Sequence, residues 1–297
     1  MKAPDWEHCP PAAETMVRPL ILILGLLSGS MPGTLRASEG VVLLHGLCRT
    51  DASMAKMAKA LKKEGFVVLN VDYPSRRAAI GELAGPTISN ALRHPRIAEA
   101  DKIHFVTHSM GGILVRQYLK TNSIDRLGRV VMLAPPNQGS EIVDKLGDLA
   151  LFEKINGPAG KELGTSSNSL PNRLGPVTFD LGVIAGDRSI NWINTTMIDG
   201  PDDGKVSVQK TRVAGMKAHL VVHASHPSIA RNDEAIRQTI QFLRQGNFLS
   251  PDASTSRCWK DSHAPPKRHR SDLRRNSHWH PHCYFLFWAQ GFVMGIL

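Results

Sequence analysis

From Val41 onward the chain repeats one arrangement, a short apolar run, a turn, and then an amphipathic stretch. The short runs are Val41–Leu44, Phe66–Leu69, Lys102–Val106, Val130–Leu133, Phe179–Ala185 and His219–Val222. Between and after them, Met54–Lys63, most of Ile80–Ala100, Ile113–Lys120 and Asp233–Arg244 have helical spacing. A strand that is apolar along its whole length must be covered on both faces, and striped helices are what can cover it. The pattern predicts an α/β fold, a mainly parallel sheet with helices on both faces. No internal repeat competes with this reading. The rhythm breaks once, between Gln138 and Pro176, where Ile142, Val143, Leu146, Leu149, Leu151, Phe152 and Ile155 lead into a Gly-, Ser- and Asn-rich stretch. This break predicts a small lid-like insertion over about 138–176.

The rhythm occupies residues 38–250, which are read as one domain. Ahead of it, Arg18 precedes the apolar run Leu20–Leu27, followed by small and turn residues up to Ala37. A positive start, a short apolar core and a small residue before a cleavage point form a signal-peptide pattern. The run is shorter than the roughly 20 residues a membrane-spanning helix needs. Residues 1–37 are accordingly expected to be a signal peptide or N-terminal extension. The expected location is secreted or periplasmic, with membrane association if the segment stays uncleaved. Residues 251–297 are basic and His-rich without helical or strand period, and are expected to stay disordered. Within them, His278, His280, His282 and Cys283 are read as an adventitious metal contact, so no metal is expected.

The formal net charge is +10, of which the last 47 residues supply +4. No basic stripe with interleaved aromatics occurs, so nucleic acid is not an expected partner. Of the four cysteines, at 9, 48, 258 and 283, no two form a Cys-x-x-Cys pair. Neither a disulfide framework nor a zinc cluster is indicated.

The strongest chemical signal is Thr107-His108-Ser109-Met110-Gly111-Gly112, placed between a predicted strand and a predicted helix. This is the context of a G-x-S-x-G nucleophile elbow, in which a sharp strand-to-helix turn projects a serine hydroxyl above the sheet. Small residues are needed on either side because strand and helix approach closely. Gly111 meets that demand, and Thr107 stands where glycine is usual. Upstream, His45-Gly46-Leu47 ends the first apolar run. Such a turn would aim the Leu47 amide at the site alongside that of Met110, making an oxyanion hole. His45, Gly46, His108 and Gly111 are given supporting roles.

Three stretches, Val42-Leu-Leu-His-Gly-Leu47, Val106–Gly112 and Met132-Leu-Ala-Pro-Pro-Asn-Gln-Gly-Ser140, resemble bacterial α/β-hydrolases of the lipase and esterase type. The resemblance covers roughly Gly40 to Phe248. It implies the α/β-hydrolase fold and a triad in chain order Ser, acid, His, with no cofactor. Gly200-Pro-Asp-Asp203-Gly-Lys-Val206 resembles the family's D-G-x-V motif and makes Asp203 the acid, with Asp202 and Asp199 as alternatives. Three histidines compete for the base. His219 and His223 are placed within the last strand run, whereas His226 lies beyond its carboxyl end, where catalytic groups of parallel sheets gather. The resemblance also favours His226, although Pro227 after it is a departure.

The expected function is a serine carboxylic-ester hydrolase, with Ser109, Asp203 and His226 as triad and an ester or lipid-like small molecule as substrate. An acyltransferase using the same triad and a non-catalytic binding protein on this fold are the alternatives.

Overall fold

The computed structural model describes residues 38–250. The expected signal segment, the basic C-terminal segment and its histidine cluster lie outside the described residues. Strands β1 (Glu39–Leu44), β2 (Val67–Val71), β3 (Lys102–His108), β4 (Leu127–Leu133), β5 (Leu181–Gly186) and β6 (Ala218–Val222) form one sheet. Their spatial order is β2-β1-β3-β4-β5-β6, and every adjacent pair is parallel.

Successive residues of a strand point to opposite faces, so each run feeds two cores at once. Val42, Leu44, Phe105 and Met132 pack in one core with α2 (Ile80–Arg93) and α4 (Met110–Thr121). Val41, Leu43, Val106, Val131 and Leu133 pack in the other, with α1 (Ala55–Lys63) and α9 (Asp233–Gln245). Burial on both faces is what the apolar runs required.

Several boundaries differ from those the sequence predicts. The region 80–100 is two helices, because Pro95 holds His94 in extended backbone (φ −63°, ψ 132°) before α3 (Pro95–Ala98) begins. Helix α4 starts at Met110, three residues before the predicted Ile113, because Gly111 and Gly112 obscure its first turn. Residue His223 falls just past β6 rather than inside it.

The 138–176 stretch carries α5 (Glu141–Leu146), α6 (Ala150–Lys161) and α7 (Leu170–Arg173). Helix α6 is broken at Gly157 (φ 68°), where a Cβ would lie 2.0 Å from the Arg76 carbonyl oxygen. One buried side chain of α4 anchors both ends of this stretch. The Arg116 guanidinium donates to the Asn137 carbonyl (2.9 Å) and Asn137 Oδ1 (3.1 Å), and to the carbonyls of Pro171 (3.0 Å) and Gly175 (2.7 Å). A short helix, α8 (Trp192–Thr195), follows β5 and is capped by the Asn191 side chain.

The strand order turns on β1, which has β2 on one side and β3 on the other. In open parallel sheets a crevice forms outside the carboxyl ends of the strands at such a switch point. His45-Gly46-Leu47 follows β1 there, and Ser109 follows β3.

Candidate active site

Ser109 sits between β3 and α4 with φ 52° and ψ −124°, a conformation that L-residues rarely adopt. The surroundings over-determine it. Its amide donates to the Leu133 carbonyl on β4 (2.8 Å), and its carbonyl accepts from the Gly112 amide (3.0 Å). The close approach of α4 to β1 explains Gly111, where a Cβ would meet the carbonyl oxygens of Leu44 at 2.7 Å and His45 at 2.8 Å. Thr107, in place of the usual glycine, is accommodated from the helix side. A Cβ at Gly112 would come within 3.2 Å of Thr107 Oγ1 and 2.9 Å of the Met132 sulfur. The second glycine supplies the room that the first position lacks.

The structure brings Ser109, His226 and Asp203 into one hydrogen-bonded chain. His226 Nε2 lies 3.0 Å from Ser109 Oγ, and His226 Nδ1 lies 2.7 Å from Asp203 Oδ2. Asp203 is fully buried and His226 nearly so. The other carboxylate oxygen, Oδ1, accepts from the backbone amides of Lys205 (3.0 Å) and Val206 (2.9 Å). The His226 amide donates to the Asp203 carbonyl (2.8 Å), which ties the two loops together by their backbones. A buried carboxylate that can only accept fixes the proton on Nδ1, leaving Nε2 as an acceptor toward the serine hydroxyl. Pro227 does not displace the ring.

The competing residues have other partners. Asp202 accepts from the Gly204 amide (2.7 Å) and Thr195 Oγ1 (3.3 Å), which shapes the loop, and burial raises its pKa. Asp199 is exposed. His223 Nδ1 pairs with Asp187 at 2.9 Å on a largely exposed side chain. His219 Nε2 meets Thr211 Oγ1 at 2.9 Å, and burial lowers its pKa to about 4.

The supporting residues act through backbone and neighbours. His108, buried beside His226, directs Nε2 to the His226 carbonyl oxygen at 2.9 Å. Burial holds its pKa well below the ordinary value, so the ring is neutral with its proton on Nε2. The His45 ring makes its contacts with Gly46, Tyr73 and Asp72. Its Nδ1 donates to the Gly46 carbonyl (2.8 Å), its Nε2 accepts from the Tyr73 amide (3.3 Å), and its ring stacks on Tyr73. Tyr73 Oη in turn donates to the His45 carbonyl at 2.6 Å. These bonds fix the 45–47 turn. At Gly46 a Cβ would lie 3.1 Å from Ser109 Cβ, so glycine alone lets the turn pass this close. Leu47 lines the same cleft as Ser109, and Met110 is the first residue of α4.

The cleft is also lined by Ile142, Val143, Phe152 and Leu163 from the 138–176 stretch. Tyr73 and Arg116 are residues that sequence reasoning did not single out. Their partners lie far along the chain and leave no local pattern. Among the described residues no cluster of His, Cys, Asp or Glu has the arrangement of a metal site.

Residues 41–282 match the sequence profile of the alpha/beta hydrolase family, and the chain belongs to that family. No curated protein sequence matches it. Solved structures share the fold at low identity. The mature form of a Bacillus licheniformis lipase is 18% identical with a TM-score of 0.55, over 71% of this chain and 93% of that one. Legionella pneumophila phospholipase PlaB is 17% identical with a TM-score of 0.57, over 75% of this chain and 61% of that one. A metagenomic carboxyl esterase is 20% identical with a TM-score of 0.51, over 65% of this chain and 66% of that one.

Proposed function

We propose that the protein is a serine carboxylic-ester hydrolase acting through an acyl-enzyme. The observation that carries this reading is the Asp203–His226–Ser109 chain, with distances of 2.7 and 3.0 Å, ending on a serine held at φ 52°. The lipase, phospholipase and esterase that share the fold support an ester as the bond attacked.

In this reaction His226 Nε2 takes the Ser109 proton as Oγ bonds to the ester carbonyl carbon. Asp203 stabilises the imidazolium that forms. The carbonyl oxygen becomes an oxyanion, received by the amides of Leu47 and Met110, with the start of α4 adding a favourable dipole. The alkoxide then leaves with the proton from Nε2. Water repeats the sequence on the acyl-serine, releasing the carboxylic acid and restoring the Ser109 hydroxyl. The apolar cleft residues Leu47, Ile142, Val143, Phe152 and Leu163 suit an aliphatic part of the substrate.

The test is a fluorophosphonate probe with peptide mapping, paired with aryl-ester hydrolysis. The adduct should sit on Ser109, and Ser109→Ala should lose activity by a factor on the order of 10⁶ in kcat. Turnover that survives in Ser109→Ala would end the hydrolase reading. Transfer of the acyl group to an added alcohol, in preference to water, would replace hydrolysis by acyl transfer on the same triad.

A further inference from the structure

His108 is the last residue of β3, and its ring stands beside the triad without being part of it. The side chain is buried, and among the described residues it makes a single hydrogen bond, from Nε2 to the His226 carbonyl oxygen at 2.9 Å. Nδ1 is buried with no hydrogen-bond partner. An imidazole taken out of water and satisfied at one nitrogen costs more than an apolar side chain in the same space. Its one bond is what sets it apart from such a side chain.

That bond completes a restraint on the base. The His226 amide donates to the Asp203 carbonyl (2.8 Å), and the His226 carbonyl accepts from His108. Pro227 narrows the backbone of the same residue further. One relay runs through side chains, from Asp203 Oδ2 by the imidazole to Ser109 Oγ. A second runs beside it through the backbone, from the Asp203 carbonyl by the peptide groups of His226 to the ring that precedes Ser109. Both join the same three segments of chain. The His108 ring is itself packed against the 45–47 turn, since a Cβ at Gly46 would lie 2.9 Å from its Nδ1.

The donor at this place has to be uncharged. In the reaction proposed above His226 becomes a cation, and its ring centroid is 4.9 Å from that of His108. A lysine or arginine here would oppose that charge. A neutral imidazole with its proton on Nε2 donates without opposing it, and burial keeps His108 neutral.

We infer that His108 is a positioning residue for the base: its Nε2–H holds the His226 carbonyl and thereby sets where the His226 imidazole stands against Ser109 Oγ. The inference rests on the ester-hydrolase reading above and adds to the triad a side chain that acts through the base.

The experiment measures kcat and KM on an aryl ester, with thermal melting, for His108→Gln, His108→Asn and His108→Leu. A glutamine amide carries an N–H at about the reach of Nε2, an asparagine amide stops near Nδ1, and leucine fills the space without a donor. Displacing a base by about 1 Å lowers turnover about 10²-fold. His108→Leu and His108→Asn should accordingly lose about 10²-fold in kcat with little change in KM, while His108→Gln stays within about fivefold of wild type. Rescue by glutamine is what a packing role would not give, because packing favours leucine over glutamine in a buried space. A His108→Leu protein as fast as wild type, or a His108→Gln protein as slow as His108→Leu, would overturn the inference. Should His108→Leu not fold, the glutamine and asparagine variants decide, and equal rates in those two overturn it. Ser109→Ala separates the two claims. Abolished turnover there, with equal rates across the His108 variants, removes the positioning role and leaves the hydrolase reading standing. Turnover that survives in Ser109→Ala removes both.

Discussion

Replacing Asp203 by Asn should disable the serine without unfolding the protein, and the hydrogen bonds around the carboxylate say why. Oδ1 accepts two backbone amides, from Lys205 and Val206, while Oδ2 faces His226 Nδ1 at 2.7 Å. In asparagine one of these positions becomes an NH2 group. Placed at Oδ1, it would confront two donors and leave both amides unsatisfied, at about 1–3 kcal/mol each. The amide oxygen therefore takes the Oδ1 place, and the NH2 group points at the imidazole. Nδ1 must then accept, its proton moves to Nε2, and Nε2 meets Ser109 Oγ as a donor. A base that holds a proton where it should receive one is no base. Loss of the working tautomer in such triads lowers kcat by about 10⁴, equivalent to about 5.5 kcal/mol of transition-state stabilisation. The assay is hydrolysis of an aryl ester, with thermal melting as the control for folding. Asp202→Asn provides the contrast, since Asp202 contacts Gly204 and Thr195 and not the imidazole. A folded Asp203→Asn protein with turnover within tenfold of wild type would refute the reasoning.

The remaining predictions concern the base, the elbow and acid stability. His226→Ala should be inactive and His223→Ala active on the same ester, because His223 spends its Nδ1 on Asp187; the reverse pattern would put the base elsewhere. Gly111→Ala drives a methyl into the carbonyls of Leu44 and His45, so α4 must shift off β1. It should cost about 1–3 kcal/mol, lower Tm by roughly 2–10 °C and reduce turnover, and an unchanged melt would show that the helix has room to move. His219 has a folded pKa near 4 against a reference of about 6.5, so between those values the unfolded chain binds more protons. Stability should therefore fall as pH drops through that window, and His219→Gln should lose less. Parallel losses in the two proteins would sink this assignment.

The sheet was legible because its signal is local. The runs are mainly apolar, and those apolar throughout, such as Val41–Leu44 and Val130–Leu133, are hidden by burial on both faces. The elbow was legible for a related reason. Strand, serine and helix adjoin in sequence, so Thr107–Gly112 carries its own context. Boundaries were less readable where two local preferences collide, as at His94-Pro95, and where glycines serve packing rather than propensity, as at Gly111 and Gly112. Pairings across the chain were the least readable. The stacking of His45 on Tyr73 and the contacts of Arg116 join segments that no short motif relates. Placing Asp203 against His226 needed the resemblance to a family, since an acid-rich loop does not say which carboxylate turns inward.

Arg116 has a consequence for how such a protein can diversify. Its guanidinium binds four carbonyl-type acceptors, and burial brings its pKa down to about 10. What it secures are the two roots, Asn137 on one side and Pro171 and Gly175 on the other, of the stretch that supplies Ile142, Val143, Phe152 and Leu163 to the cleft. Because the clasp sits on the helix that begins beside Ser109, both roots share a reference frame with that serine. The chain between the roots is then a replaceable part. Its length and its side chains can change, and with them the shape offered to a substrate, while the distance from serine to imidazole to carboxylate stays where α4 and the sheet have put it.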